Sequence, residues 1–249
     1  MNFEWPFPNR PGFVYRAANR AVITAVATSS KIWLEWLSQT HYVNKQKFLD
    51  VFHNKNKPLI TVSNHHSCID DPVMWGVMSW RDIFFNPYWC RWTLAASDVT
   101  FKKDWHRKFF SLGRCIPVVR GEGVYQRGVR FATELLNSNH WLHVFVQGKI
   151  NLTQMPVRLK WGFDDVLPNK RPYIPQTSQN ITIVYGDPIS YDPMLNDLRS
   201  NNASDITIRK ALTDQIEHEL YSLQPVAELI HKQRLAITTL PKDEIKKRL

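Results

Sequence analysis

Four short runs of β-branched and other apolar residues punctuate this chain and constrain its fold more than any other feature. They are "PLITVS" (Pro58–Ser63), "CIPVV" (Cys115–Val119), "WLHVFVQ" (Trp141–Gln147) and "NITIVYG" (Asn180–Gly186). Each is short, apolar and bounded by turn residues or by the start of a helical pattern, so each reads as a buried strand. Helical patterns fill the gaps. Pro72–Trp80 is one, and Gly123–Ser138 is another, with Val124, Val129, Leu135 and Leu136 on its apolar side. Further on, "SDITIRKALTDQIEHELYSL" sets Ile208, Leu212, Ile216, Leu220 and Leu223 at helical intervals behind a Ser204 or Asp205 cap. Strands alternating with helices predict an α/β fold with a mostly parallel sheet flanked by helices.

The N-terminal part reads differently. Its first residues carry an acid and three prolines, unlike a signal or transit peptide. Ala21–Leu37 then places Val22, Ile23, Val26, Trp33, Trp36 and Leu37 near one helical face. Ser29, Ser30 and Lys31 interrupt it, so it falls short of the roughly 18 apolar residues of a spanning helix. Two readings stand level: a helix lying in a membrane interface with its tryptophans at headgroup depth, or a helix docked on the domain's own core. A second aromatic cluster, Ile83–Ala96, tilts the balance toward an interfacial helix. The expected division is an N-terminal membrane-interface segment, residues 1–40, and a second domain, residues 41–249.

Composition narrows the function. A formal charge of +10 calls for anionic partners, nucleic acid or lipid. No zinc finger, basic zipper or RNA-recognition signature accompanies the basic residues, so no nucleic-acid partner is expected. Only nine glycines occur in 249 residues, and none forms a nucleotide-binding loop. The three cysteines are odd in number and far apart, which fits reduced thiols better than disulfides or a zinc site.

Ionisable chemistry is densest in "VSNHHSCIDDP", Val62–Pro72, directly after the first strand. The carboxyl end of a strand is where open α/β sheets place their sites. His65 and Asp70 are five residues apart, about 140° of rotation on a continuous helix. They meet only if the chain turns between them, and Ser67 and the aspartates suit such a turn. A histidine whose Nδ1–H is held by a carboxylate offers a basic Nε2 to a hydroxyl. No nucleophile-elbow serine is present, so that hydroxyl would be the substrate's. Spacing alone leaves alternatives open: His66 with Asp71, an aspartate serving only as a helix cap, a metal site of two histidines and two aspartates, or Cys68 as nucleophile.

"NHHSCIDDP" resembles the N-H-x-S-x-x-D-D-P form of the H-x-x-x-x-D motif in glycerolipid acyltransferases, specifically the tafazzin branch. "RWTLAASDVTF", "FFSLGRCIPVVRGEGVYQRG", "LKWG", "DDVLPN" and "IRKALTD" follow in that family's order, so the resemblance runs from about Trp5 to Leu223. It implies a mitochondrial, membrane-associated enzyme that moves acyl chains between phospholipids and lysophospholipids. Cardiolipin, monolysocardiolipin and phosphatidylcholine would be its lipids, and neither coenzyme A nor any other cofactor would be needed. It implies the register too: His65 as general base, Asp70 as its partner, and Arg120 as a phosphate ligand with a guanidinium fork suited to two oxygens. Gly148 and Lys149 would be further substrate-binding residues.

Two departures from the family pattern accompany these matches. Where the family has F-P-E-G, this chain has Phe145-Val146-Gln147-Gly148, so a carboxylate is replaced by an amide. After "LKWG", Gly162 runs straight into Phe163-Asp164-Asp165, as though a helix and a core strand had been removed. The expected consequence is that Asn180–Gly186 moves up beside the remaining core strands, with Phe163–Gln179 as a long connection. Two other functions stay in view: a shortened, weakly active or inactive membrane-bound form, and a lysophospholipid acyltransferase that does use coenzyme A.

Overall fold

A computed structural model describes residues 4–54, 57–65, 67, 69–86, 90–146 and 176–238. In chain order the elements begin with α1 (Phe13–Trp36), β1 (Gln39–Val43), α2 (Lys45–His53), β2 (Leu59–Ser63) and α3 (Asp70–Met74). A 3-10 turn (Trp75–Val77) follows, then α4 (Trp80–Phe85), β3 (Trp92–Ala96), α5 (Ser97–Thr100), α6 (Asp104–Leu112) and β4 (Cys115–Val118). The last are α7 (Arg127–Asn137), β5 (Trp141–Phe145), β6 (Asn180–Val184), α8 (Asp192–Ser200) and α9 (Asp205–Thr238). The chain divides into two units: residues 1–39 with 54–179, and residues 40–53 with 180–249.

Among the described residues the first unit is built on a four-stranded sheet of order β2-β5-β3-β4. Its three pairings are all parallel; Leu59 through Ser63 lie opposite Trp141 through Phe145, and Ala96 lies opposite Val118. Parallel pairing sends every carboxyl end to one edge, which carries His65 after β2, Asp98 after β3, Arg120 after β4 and Val146 after β5. Pro117 sits in β4, an edge strand, where its missing N–H leaves no ladder bond unmade toward an interior neighbour.

Alternation along β5 divides the core between the two faces. Leu142 joins Phe7, Ile116 and Ala132 in a cluster that Trp5, Trp92, Phe131 and Val144 extend. The ring of Phe7 stacks on Phe131 at 5.2 Å, so the N-terminal aromatic residues close this face. Helix α7 approaches the sheet closely there: a Cβ on Gly128 would lie 2.2 Å from the Pro117 carbonyl oxygen, so only glycine fits. On the other face Trp141 and His143 meet Trp75 edge-on.

Helix α1 uses Ile23, Ala27, Ser30, Lys31 and Leu34 to pack against the segment from α3 to α4. The approach is tight, because a Cβ on Gly76 would come within 2.7 Å of the Ser30 and Lys31 backbone. Ser30 Oγ lies 2.8 Å from both the Val26 and the Pro72 carbonyl oxygens. The buried Lys31 pairs with Glu35 at 2.5 Å and lies over the Trp80 ring. Phe13, Val14, Trp36 and Leu37, at the two ends of α1, stay exposed.

In the second unit β1 and β6 form a two-stranded sheet. Helix α9 is pinned to β6 by His231 Nδ1 at 3.0 Å from Thr182 Oγ1, and by Arg234, which donates to the Ile181 carbonyl at 2.8 Å.

Three sequence expectations need correction. Asn180–Val184 is a strand but does not join the four-stranded sheet; it pairs with β1, a partner whose short polar "QTHYV" gives no strong strand pattern. The aromatic run Ile83–Ala96 is not one interfacial segment: Trp92–Ala96 is an interior strand between β5 and β4, with Thr93 only 2% exposed. The helix expected over Pro72–Trp80 is broken. The chain leaves α3 through the 3-10 turn at Gly76, and Ser79 caps a new helix by accepting the Asp82 N–H at 3.1 Å. The segment around Gly162, and with it the inferred deletion, lies outside the described residues.

Candidate active site

The turn required between His65 and Asp70 is present. Strand β2 ends at Ser63, and Asp70 opens α3. Between them the Asp70 N–H donates to the Ser67 carbonyl at 3.1 Å, while the Ser67 N–H donates back to Asp70 Oδ2 at 2.8 Å. That reciprocal pair closes the turn and fixes the carboxylate in place. The same Oδ2 lies 3.1 Å from His65 Nδ1. An ionised carboxylate only accepts, so Nδ1 carries the proton and Nε2 is the basic nitrogen. Asp70 is 3% exposed, whereas the His65 side chain is 18% exposed, so the pair presents its nitrogen and hides its charge. Phe145, at the end of β5, stacks on the His65 imidazole at 4.1 Å.

Asp71 turns the other way. It accepts from Arg91 Nε at 3.1 Å, from a second guanidinium nitrogen of the same residue, and from Trp75 Nε1 at 3.2 Å. Arg91 is buried and also donates to the Gly113 carbonyl at 3.0 Å. Burial opposes its charge, but Asp71 beside it, with smaller contributions from Cys90 and Cys115, holds its pKa above the ordinary arginine value. The two adjacent aspartates therefore have separate partners, one a histidine at the surface and the other an interior arginine.

At the other end of the sheet edge Arg120 forms an ion pair with Asp98, both half-exposed. Its hydrogen bond holds the Asp98 carboxyl below the usual range. Gln147, Gly148 and Lys149 lie outside the described residues, as do His66 and Cys68. No group of three or more histidine, cysteine, aspartate or glutamate side chains that could hold a metal ion occurs among the described residues.

Sequence reasoning missed four residues around this site: Arg91, Asp98, Phe145 as a ring partner, and His143. Alternation is the signal that could have found His143, since it lies two residues before Phe145 and so on the same face of β5.

The arrangement can take a proton from a hydroxyl at His65 Nε2 and return it to a leaving oxygen. Known proteins resemble this chain along most of its length. A family model described as Acyltransferase matches residues 39–178. Tafazzin of Drosophila melanogaster is 34% identical, over 94% of this chain and 68% of that protein. A Dictyostelium discoideum protein named Taffazin is 31% identical, over 82% of this chain and 81% of its own length. The N-acylphosphatidylethanolamine synthase of Arabidopsis thaliana is 32% identical over 70% of this chain and 72% of that protein. The alignment with the Drosophila protein runs to 258 positions, more than the 249 residues of this chain, so it includes positions with no counterpart here.

Proposed function

The chain belongs to the acyltransferase family that includes the tafazzins, and on that premise we propose that it exchanges acyl chains between phospholipids and lysophospholipids without coenzyme A. That it is a phospholipid acyltransferase follows from the family; the exchange, its lipids and its setting are our reading. Monolysocardiolipin is the proposed acceptor, phosphatidylcholine the proposed donor, and a mitochondrial membrane the proposed site of action.

The observation that carries this reading is the His65–Asp70 pair at the carboxyl edge of the sheet. His65 Nε2 removes the proton from the lysolipid hydroxyl as its oxygen attacks the ester carbonyl of the donor. The tetrahedral intermediate collapses, the donor's glycerol oxygen leaves, and the imidazolium returns the proton to it. One ester is broken and one is made, so no activated thioester is needed to drive the exchange. Asp70 stabilises the imidazolium and keeps the ring in its working tautomer. Arg120, with Gly148 and Lys149, is assigned to the lipid phosphate.

Purified protein with acyl-labelled phosphatidylcholine, offered monolysocardiolipin or phosphatidylethanolamine as acceptor, tests this reading. Label is expected in the cardiolipin product without any acyl-coenzyme A. Transfer that needs the thioester would establish the coenzyme-A-dependent alternative, and no transfer under either condition would establish the inactive one. The Arabidopsis thaliana relative motivates a further arm. Label confined to an amide on phosphatidylethanolamine would mean that the acceptor is an amine, deprotonated by the same histidine.

Membrane attachment is assigned to exposed aromatic and basic side chains of the first unit. Phe84 and Phe85 of α4 and Trp105 and Phe109 of α6 are exposed, as are Arg81, Lys102, Lys103 and Lys108. The first half of α1 touches both helices: Asn19 donates to the Leu112 carbonyl at 2.6 Å, and Arg20 donates to the Phe84 carbonyl. Apolar rings among cations fit an anionic lipid surface. No described helix is long and apolar enough to cross a membrane. The protein is expected to sediment with anionic vesicles in high salt, and replacing these four aromatic residues by serine should release it. Release of the unaltered protein by salt alone would leave only an electrostatic contact.

A further inference from the structure

Behind the His65–Asp70 pair lies a partly buried chain of hydrogen bonds that ends on the peptide next to His65. Trp141 Nε1 lies 2.9 Å from Thr61 Oγ1. Thr61 Oγ1 lies 2.8 Å from His143 Nδ1, and His143 Nε2 lies 3.2 Å from Ser63 Oγ. Ser63 Oγ in turn lies 3.0 Å from the Asn64 carbonyl oxygen. Register brings these groups together, since Thr61 and Ser63 lie opposite His143 and Phe145 on paired strands.

Both ends of this chain fix its direction. An indole N–H can only donate, so Thr61 accepts at one end. A carbonyl oxygen can only accept, so the single proton of Ser63 points to Asn64 at the other end. Ser63 must then accept from His143, which places a proton on Nε2. Thr61 has one proton of its own to give, and Nδ1 receives it. Every donor then has one acceptor. The opposite tautomer would ask the single Ser63 proton to serve two acceptors. A doubly protonated ring would leave the Thr61 proton unmatched.

We propose that His143 is a positioning residue: a neutral imidazole with its proton on Nε2, which holds Ser63 and the Asn64 carbonyl and so fixes the strand end that presents His65. The role rests on the acyl-transfer reading above, whereas the tautomer does not. Its ring is 1% exposed and is clamped by Trp75 and Phe145, whose centroids lie at 4.9 and 4.6 Å. Burial first, with Arg91 and His65 adding to it and Asp71 opposing, lowers its pKa to about 3, so the ring stays neutral. The assignment also rules out a Ser63–His143 nucleophile pair, because Nε2 already carries a proton and the Ser63 proton is directed away from the ring.

Nitrogen-15 spectra of the histidine-labelled protein in lipid or detergent read the ring directly. The expected signature of His143 is a neutral Nε2–H tautomer that does not change between pH about 5 and 8, a window above its lowered pKa and spanning the ordinary histidine value. An Nδ1–H tautomer, or titration within that window, would overturn the assignment. Kinetics test the role. His143→Leu should lower kcat by on the order of 10- to 100-fold with KM little changed, as a displaced catalytic group does. His143→Gln, whose amide can still donate to Ser63, should recover most of that loss. Equal losses in two variants that melt like the unaltered protein would remove the positioning role. Trapping a labelled acyl group on Ser63 would replace it with a nucleophilic one. If no acyl transfer is found at all, the tautomer result stands or falls by itself.

Discussion

His65→Ala is expected to lower acyl transfer by about 10²- to 10⁴-fold, the range that a positioned general base contributes. Vesicle binding and thermal unfolding should stay close to those of the unaltered protein, because the side chain lies at the sheet edge and not in the core. Asp70→Asn should approach the same loss by another route. An amide in place of the carboxylate no longer requires the proton on Nδ1, so the ring can turn its N–H toward the substrate and lose its base. His66→Ala, one residue on, should lose far less. The check is initial transfer rate at fixed vesicle composition. Equal losses for His65→Ala and His66→Ala would mean that the histidine of the pair has been misidentified.

Asp71→Asn should act on stability far more than on the chemical step. It leaves the buried Arg91 guanidinium without a counter-charge, facing a neutral amide oxygen beside the Gly113 carbonyl and the Cys90 sulfur. Removing one partner of a buried pair costs about 3–5 kcal/mol. For a chain of this size that is a fall in Tm on the order of 10 °C. Asp98→Asn, at the half-exposed pair with Arg120, should leave Tm unchanged, since surface ion pairs are screened by solvent. A melting curve for each variant decides the matter. Similar shifts for the two substitutions would contradict the division of these pairs into interior and surface.

Sequence pattern made three of the four core strands legible, because "LITVS", "CIPV" and "WLHVF" are apolar runs flanked by turns or helical patterns. The fourth, "WTLAA", was hidden by the aromatic and basic residues before it, which imitate an interfacial segment. The break between α3 and α4 is set by how close α1 comes to Gly76, a tertiary fact without a local signature. The site shows the same limit. Spacing found two histidines and two aspartates but weighed His65 with Asp70 and His66 with Asp71 alike. Only the family motif separated them, and in the structure Asp70 lies against His65. The partner of Asp71 is an arginine twenty residues away, and no local pattern announces it. His143 sits in an apolar strand, where a single histidine reads as filler.

Among the described residues β2 is paired on one side only, with β5, and it is the strand that ends at the candidate base. No described strand lies beside its backbone N–H groups that point away from β5, and Ile60 is 55% exposed. Local opening follows such gradients: an edge strand frays with a smaller free energy than its interior neighbours, and its amides exchange with solvent sooner. The hydrogen bonds that tie Thr61 and Ser63 to His143 therefore do more than orient a ring. They fasten an edge strand of the described sheet to an interior one. In kinetic terms, the lifetime of a competent site is expected to follow the lifetime of that fastening, because partial opening at a sheet edge needs less free energy than unfolding of the core.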